Sequence, residues 1–142
     1  MNDSDQYLNT SKLASLDNIK RECSVLLIDD EMVIREIGDE MLQSLGFSCI
    51  TAQDGPEGIA IYKENRDKIA LVILDVEMPG LSGDKVYDRL KEINPAIKIL
   101  IASGYSKHHL EANFFKQKLD HYMPKPFQMD QLVQKLHYLL TC

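Results

Sequence analysis

Long apolar segments are missing from this 142-residue sequence. No stretch approaches the roughly 20 apolar residues that a membrane-spanning helix needs. Residues 1–22 are polar and contain no apolar core of the signal-peptide type. We therefore expect a cytoplasmic protein without a membrane segment.

Cysteines are few, and positive charges are outnumbered by negative ones, with 16 Lys and Arg against 22 Asp and Glu. The three cysteines, Cys23, Cys49 and Cys142, are an odd number without metal-ligand spacing, which favours reduced thiols over a disulfide framework. The formal net charge is −6, so the surface as a whole would repel nucleic acid. We expect no nucleic-acid partner.

What the chain does contain is a regular alternation of apolar strand patterns and amphipathic helix patterns from Val25 onward. Strands alternating with helices of about 10–15 residues predict a parallel sheet covered on both faces. Right-handed crossovers favour a doubly wound, flavodoxin-like α/β fold of five strands in the order 2-1-3-4-5, with five helices. We predict one such domain over residues 23–142, with residues 1–22 as a polar tail or linker.

Two of the predicted strands end on carboxylates. Residues 25–28 run into Asp29 and Asp30, and residues 71–74 run into Asp75. In the predicted order these strands are neighbours at the point where ligands bind, outside the carboxyl ends of the strands. Carboxylates so close together raise one another's pKa unless a cation neutralises them. The sequence therefore predicts a site for a hard divalent ion, Mg²⁺ above all.

Two further strand ends reach the same rim, at Ser103 and Lys125. Carboxylates, a metal, a hydroxyl and an ammonium group together suit phosphoryl transfer, because cations offset the phosphoryl charge while a carboxylate attacks. Each residue alone has a plainer interpretation. Asp29 and Asp30 could merely cap the following helix, Ser103 could be a turn serine, and Lys125 could be a surface lysine.

Four motifs lie at these strand ends. They are Ile28-Asp29-Asp30-Glu31, Ile73-Leu74-Asp75-Val76-Glu77-Met78-Pro79-Gly80, Ile101-Ala102-Ser103-Gly104-Tyr105 and Lys125-Pro126-Phe127. In this order and spacing, the chain from about residue 24 to residue 140 resembles the CheY-like receiver domains of two-component response regulators.

The resemblance implies a phosphorylation site with a bound Mg²⁺. Asp75 would be the phosphoacceptor, and Asp30 and Asp75 would bind the metal directly together with the main-chain carbonyl of Glu77. Asp29 would act mostly through a metal-bound water. Lys125 would pair with Asp75 and later with a phosphoryl oxygen, and the family commonly has a cis peptide bond after this lysine.

The same resemblance implies a switch. Ser103 would turn its hydroxyl toward the aspartyl phosphate, and Tyr122 would be the switch aromatic residue. We expect the Glu77 side chain to be solvated, and the resemblance suggests that Glu77 and Tyr105 tune the access of water to the phosphoryl group. The phosphodonor would be a histidine kinase or a histidine phosphotransfer protein. The output partner would bind the face made by the fourth helix, fifth strand and fifth helix of a monomer or weak dimer.

Other interpretations and departures from the family pattern stay open. Asp75-Val76-Glu77 is weakly similar to haloacid-dehalogenase phosphatases, which would make the chain an enzyme, and a receiver-like binding module independent of phosphate is a third class. The segment Gln117-Lys118-Leu119-Asp120 lacks glycine, so we expect the fourth helix to end without a left-handed cap. Pro124 removes a donor from the fifth strand. We expect a single-domain regulator or the receiver of a longer protein such as a hybrid sensor kinase.

Overall fold

A computed structural model describes residues 23–140 of the protein. The predicted tail at residues 1–22 and the last two positions lie outside the described residues. The strands are β1 (Ser24–Ile28), β2 (Ser48–Ala52), β3 (Ile69–Asp75), β4 (Lys98–Ser103) and β5 (Tyr122–Pro124). The helices are α1 (Met32–Ser44), α2 (Gly55–Glu64), α3 (Gly83–Ile93), α4 (Lys107–Leu110) and α5 (Met129–Leu140).

The five strands form one parallel sheet in the order β2-β1-β3-β4-β5. The predicted fold class and strand order are therefore confirmed. β3 is longer than the predicted segment 71–74 and includes Asp75 itself, because β1 and β4 extend its hydrogen-bonded ladder on both sides. Over residues 23–140 no helix is long and apolar enough to cross a membrane.

Alternate residues of the strands build two cores, one on each face of the sheet. In β1, Val25 and Leu27 face one core while Leu26 and Ile28 face the other, as the two-residue period of a strand requires. Helices α1 and α5 cover the first core with Leu42, Leu132, Val133, Leu136 and Leu139, and Leu45, which follows α1, joins them. Helices α2, α3 and α4 cover the second with Ile59, Tyr62, Val86, Leu90 and Leu110.

The fourth helix departs from the expectation drawn from its missing glycine. α4 is capped by Ser106 and continues as a π-helical turn over Glu111–Phe115. Lys116 then adopts the left-handed conformation, with φ 58° and ψ 24°. The expectation that no left-handed cap would form is therefore wrong. This conformation costs a residue with a Cβ about 1–2 kcal/mol. Two local hydrogen bonds flank it: Lys116 Nζ donates to the Ala112 carbonyl at 3.2 Å, and the Leu119 amide donates to Glu111 Oε2 at 2.6 Å.

Gly83 fixes the start of α3 directly against the backbone of the loop after β3. A Cβ at this position would lie 2.3 Å from the carbonyl oxygen of Asp75 and 2.5 Å from Val76 Cα. Both are backbone atoms in a buried strand end, so they cannot move aside without displacing β3 or α3.

We therefore expect Gly83→Ala to lower the free energy of unfolding by about 2–3 kcal/mol, despite the better helix propensity of alanine. Urea unfolding followed by circular dichroism measures the effect. Gly104→Ala is the matched control, because its Cβ would meet no atom within 4 Å. Equal midpoints for the two variants would contradict the prediction.

Candidate functional site

Four strand ends bring the sequence-predicted residues to one edge of the sheet. Asp29 follows β1 directly, Asp75 and Ser103 are the last residues of β3 and β4, and Lys125 follows β5 directly. The amide of Lys125 donates to the carbonyl of Ser103 at 2.9 Å, which joins the ends of β4 and β5. The peptide bond from Lys125 to Pro126 is cis, as expected.

Three carboxylates form an acidic cluster at this edge. Oxygen atoms of Asp29, Asp30 and Asp75 all lie within 4.8 Å of one another. The side chains of Asp29 and Asp75 are 1% exposed, whereas Asp30 is open to solvent. Among the described residues Asp75 Oδ2 is buried and has no hydrogen-bond partner. A buried carboxylate oxygen without a donor, beside two more carboxylates, fits a hard divalent cation such as Mg²⁺.

Lys125 lies between the two buried carboxylates. Its Nζ donates to Asp29 Oδ2 at 3.0 Å and to Asp75 Oδ1 at 3.1 Å, and it lies 3.9 Å from Glu31 Oε1. Burial opposes the charge of Lys125, but the hydrogen bonds and charges of Asp29 and Asp75 outweigh it, so the pKa of the lysine is raised. The lysine therefore stays protonated and holds both carboxylates.

One lysine does not fully compensate two carboxylates. Burial and then the negative charge of Asp29 raise the pKa of Asp75 to about 7, against the opposing effect of Lys125. Ionisation of Asp75 is therefore less favourable than that of an ordinary aspartate, and a divalent cation would favour it.

The alternative that Asp29 and Asp30 merely cap α1 does not agree with the geometry. The N-cap residue of α1 is Glu31, and no side chain caps this helix. Asp29 Oδ1 instead accepts the Glu31 amide at 2.9 Å in a local turn, and Arg35 Nη1 donates to the Asp29 carbonyl at 2.7 Å. These bonds fix the backbone beneath the acidic cluster.

Ser103 is fully buried, and its hydroxyl is bonded on both sides. The hydroxyl donates to Glu77 Oε1, and Ser103 Oγ accepts the Tyr105 amide at 3.0 Å. The carbonyl of Tyr105 in turn accepts the Tyr122 hydroxyl at 2.6 Å. The expectation of a solvated Glu77 side chain is therefore wrong: this half-buried carboxylate binds the predicted switch hydroxyl. Its position two residues after a strand-end aspartate was the only signal in the sequence.

The comparisons with known proteins agree with this fold. Residues 25–137 match the family model of the response regulator receiver domain, so the chain belongs to that family. It is a receiver domain of the two-component signalling class.

Two relatives are proteins longer than this chain. The chain is 30% identical over 129 residues to the sensor kinase CckA of Brucella abortus, covering 91% of this chain and 14% of that protein. It is 33% identical over 113 residues to the cell cycle transcriptional regulator CtrA of Caulobacter vibrioides, covering 80% of this chain and 48% of that protein. The chain thus spans between about one seventh and one half of these relatives.

A solved structure of a response regulator has the same architecture. TrrA of Thermotoga maritima, in complex with Mg²⁺ and beryllium fluoride, is 36% identical with a TM-score of 0.71, covering 83% of this chain and 99% of that one. TrrA has also been solved in complex with the histidine kinase ThkA, at 36% identity and a TM-score of 0.70, covering 83% of this chain and 98% of TrrA.

Proposed function

We propose that Asp75 of this receiver accepts a phosphoryl group from the phosphohistidine of a histidine kinase or a histidine phosphotransfer protein. The observation that carries the proposal is Asp75 Oδ2, which lies buried beside Asp29, Asp30 and Lys125 and has no hydrogen-bond donor within residues 23–140. A carboxylate oxygen left without a donor is available as a nucleophile. The complex of TrrA with ThkA supports the class of donor.

The acidic cluster supplies the ligands for Mg²⁺. Asp30 and Asp75 would hold the ion together with the main-chain carbonyl of Glu77, and Asp29 would act through a metal-bound water. When bound, the ion offsets the charge of the carboxylates and of the phosphoryl oxygens. The beryllium fluoride complex of TrrA, which contains Mg²⁺, supports this choice of metal.

The remaining chemistry belongs to the side chains of this chain. An oxygen of Asp75 attacks phosphorus, the P–N bond of the donor breaks, and its electron pair returns to the imidazole ring. The product is an acyl phosphate on Asp75. Lys125 Nζ, which is 3.1 Å from Asp75 Oδ1 in the unmodified protein, is placed to follow a phosphoryl oxygen. Apart from adding and losing its own phosphoryl group, the domain has a signalling role.

The signal leaves through movements of Ser103 and Tyr122. A phosphoryl group on Asp75 offers new acceptor oxygens to the Ser103 hydroxyl. Rotation of Tyr122 would then alter the face formed by α4, β5 and α5, where we place the output partner, with the domain acting as a monomer or weak dimer. Residues 23–142 would form this cytoplasmic receiver, and residues 1–22 its tail or linker.

Incubation with Mg²⁺ and a small phosphodonor tests the proposal. We expect intact-mass spectrometry to show one phosphoryl group per chain, and no addition when EDTA removes the metal. Phosphorylation at the same level with and without EDTA would contradict a Mg²⁺-dependent site. Repeated hydrolysis of a phosphomonoester would favour a phosphatase, and failure to bind either Mg²⁺ or beryllium fluoride would favour a phosphate-independent binding module.

A further inference from the structure

The Ser103 hydroxyl has one proton and therefore one hydrogen bond to donate at a time. In the unmodified protein that bond goes to Glu77 Oε1. A phosphoryl group on Asp75 would need the same proton. Glu77 and the phosphoryl group thus compete for a single donor.

We propose that the Glu77 carboxylate is a positioning residue that holds Ser103 in the unphosphorylated arrangement and is displaced when Asp75 is modified. The inference rests on the proposed function, since the competitor is the aspartyl phosphate. It assigns to the Glu77 side chain a role separate from that of its main-chain carbonyl toward Mg²⁺.

Three consecutive hydrogen bonds connect Glu77 to Tyr122. Ser103 donates to Glu77, the Tyr105 amide donates to Ser103 Oγ at 3.0 Å, and Tyr122 donates to the Tyr105 carbonyl at 2.6 Å. If Ser103 turned toward Asp75, the Tyr105 amide would lose its acceptor. The loop that anchors the Tyr122 hydroxyl would be released in the same movement.

The surroundings of Ser103 favour a hydrogen bond to Glu77 that a phosphoryl group on Asp75 can break. Ser103 is fully buried, so bulk water does not compete as an acceptor for its hydroxyl. Burial and then Glu77 raise the pKa of Tyr122, and Glu77 adds a smaller effect to those of burial and Asp29 on the pKa of Asp75, so its carboxylate lies near both groups. A phosphoryl group on Asp75 would therefore repel the Glu77 carboxylate while attracting the Ser103 proton.

A double-mutant cycle separates this hydrogen bond from simple charge repulsion. The variants are Glu77→Ala, Ser103→Ala and both together, with Glu92→Ala as an exposed control on α3. The first measurement is the apparent Kd for beryllium fluoride in saturating Mg²⁺. The second is amide hydrogen exchange of Tyr105 in metal-free buffer.

We expect Glu77→Ala to tighten beryllium fluoride binding about fivefold, because one competing hydrogen bond is gone. In the Ser103→Ala background the same change should alter the Kd less than about twofold, since there is no hydroxyl to hold. Glu77→Ala should also accelerate Tyr105 exchange about threefold or more without any ligand. Glu77→Gln, which keeps an acceptor oxygen, should retain most of the protection.

Two results would overturn the inference. One is an equal effect of Glu77→Ala on the Kd for beryllium fluoride with and without Ser103, which would mean that Glu77 acts only by charge repulsion. The other is unchanged Tyr105 exchange in Glu77→Ala. If the wild-type protein fails to bind beryllium fluoride, the proposed function fails, while the metal-free exchange measurement still decides whether Glu77 holds Ser103.

Discussion

Asp75→Asn is expected to abolish phosphoryl incorporation, with a rate at least about 100-fold below that of the wild-type protein. The amide has nearly the shape of the carboxylate, but it lacks the negative oxygen that attacks phosphorus. Asparagine also offers Mg²⁺ a weaker ligand. Intact-mass spectrometry after incubation with Mg²⁺ and a small phosphodonor measures the loss.

Asp88→Asn is the matched control for this change. Asp88 is an exposed carboxylate on α3, and its replacement removes the same charge from the chain without touching the acidic cluster. We expect it to be phosphorylated like the wild-type protein. Labelling of Asp75→Asn at the wild-type level would show that another residue accepts the phosphoryl group.

Lys125→Met is expected to lower the free energy of unfolding by about 2–4 kcal/mol in metal-free buffer at pH 8. Methionine keeps much of the length of the side chain but leaves Asp29 and Asp75 buried without their shared cation. The cost is limited because the carboxyl groups can take up a proton instead.

The loss should depend on pH with a definite sign. Burial and Asp29 already raise the pKa of Asp75 to about 7, above the 3.8 of an ordinary aspartate, and removal of Lys125 raises it further. A folded state that binds more protons than the unfolded state loses stability as the pH rises. The free energy of unfolding of Lys125→Met should therefore be closest to that of the wild-type protein near pH 6, and the difference should grow toward pH 8.

Urea unfolding at both pH values, with EDTA or with Mg²⁺, measures this prediction. Mg²⁺ should restore much of the lost stability at pH 8, because it binds the folded acidic cluster and neutralises the same carboxylates. Lys118→Met, at an exposed position after α4, is the control and should change little. A loss that is constant with pH and insensitive to Mg²⁺ would contradict the electrostatic explanation.

The sequence could predict which side chains form the site, because each lies at the end of an apolar strand. These residues are Asp29, Asp75, Ser103 and Lys125. In a parallel sheet all carboxyl ends lie at one edge, so the strand order alone brings these side chains together. The two cores followed from the same apolar patterns. The lengths of the strands could not be predicted from these patterns, because hydrogen-bonded ladders with β1 and β4 extend β3 beyond its apolar segment.

The bond between Ser103 and Glu77 could not be predicted in the same way. It joins residues 26 positions apart, and it depends on the side-chain rotamer of a loop residue, which no periodic pattern encodes. The left-handed Lys116 escaped prediction for a related reason. Local preference favours glycine there, and the π-helical turn with its flanking hydrogen bonds is not encoded in any periodic pattern.

Pro124 has a consequence for self-association of the sheet. β5 is a short strand at the edge of the sheet, and its last residue has no amide proton to offer to another chain. Edge strands are templates for aggregation unless they are short or interrupted. Because β5 is only three residues long and ends on Pro124, this edge offers few backbone donors from which an intermolecular sheet could grow.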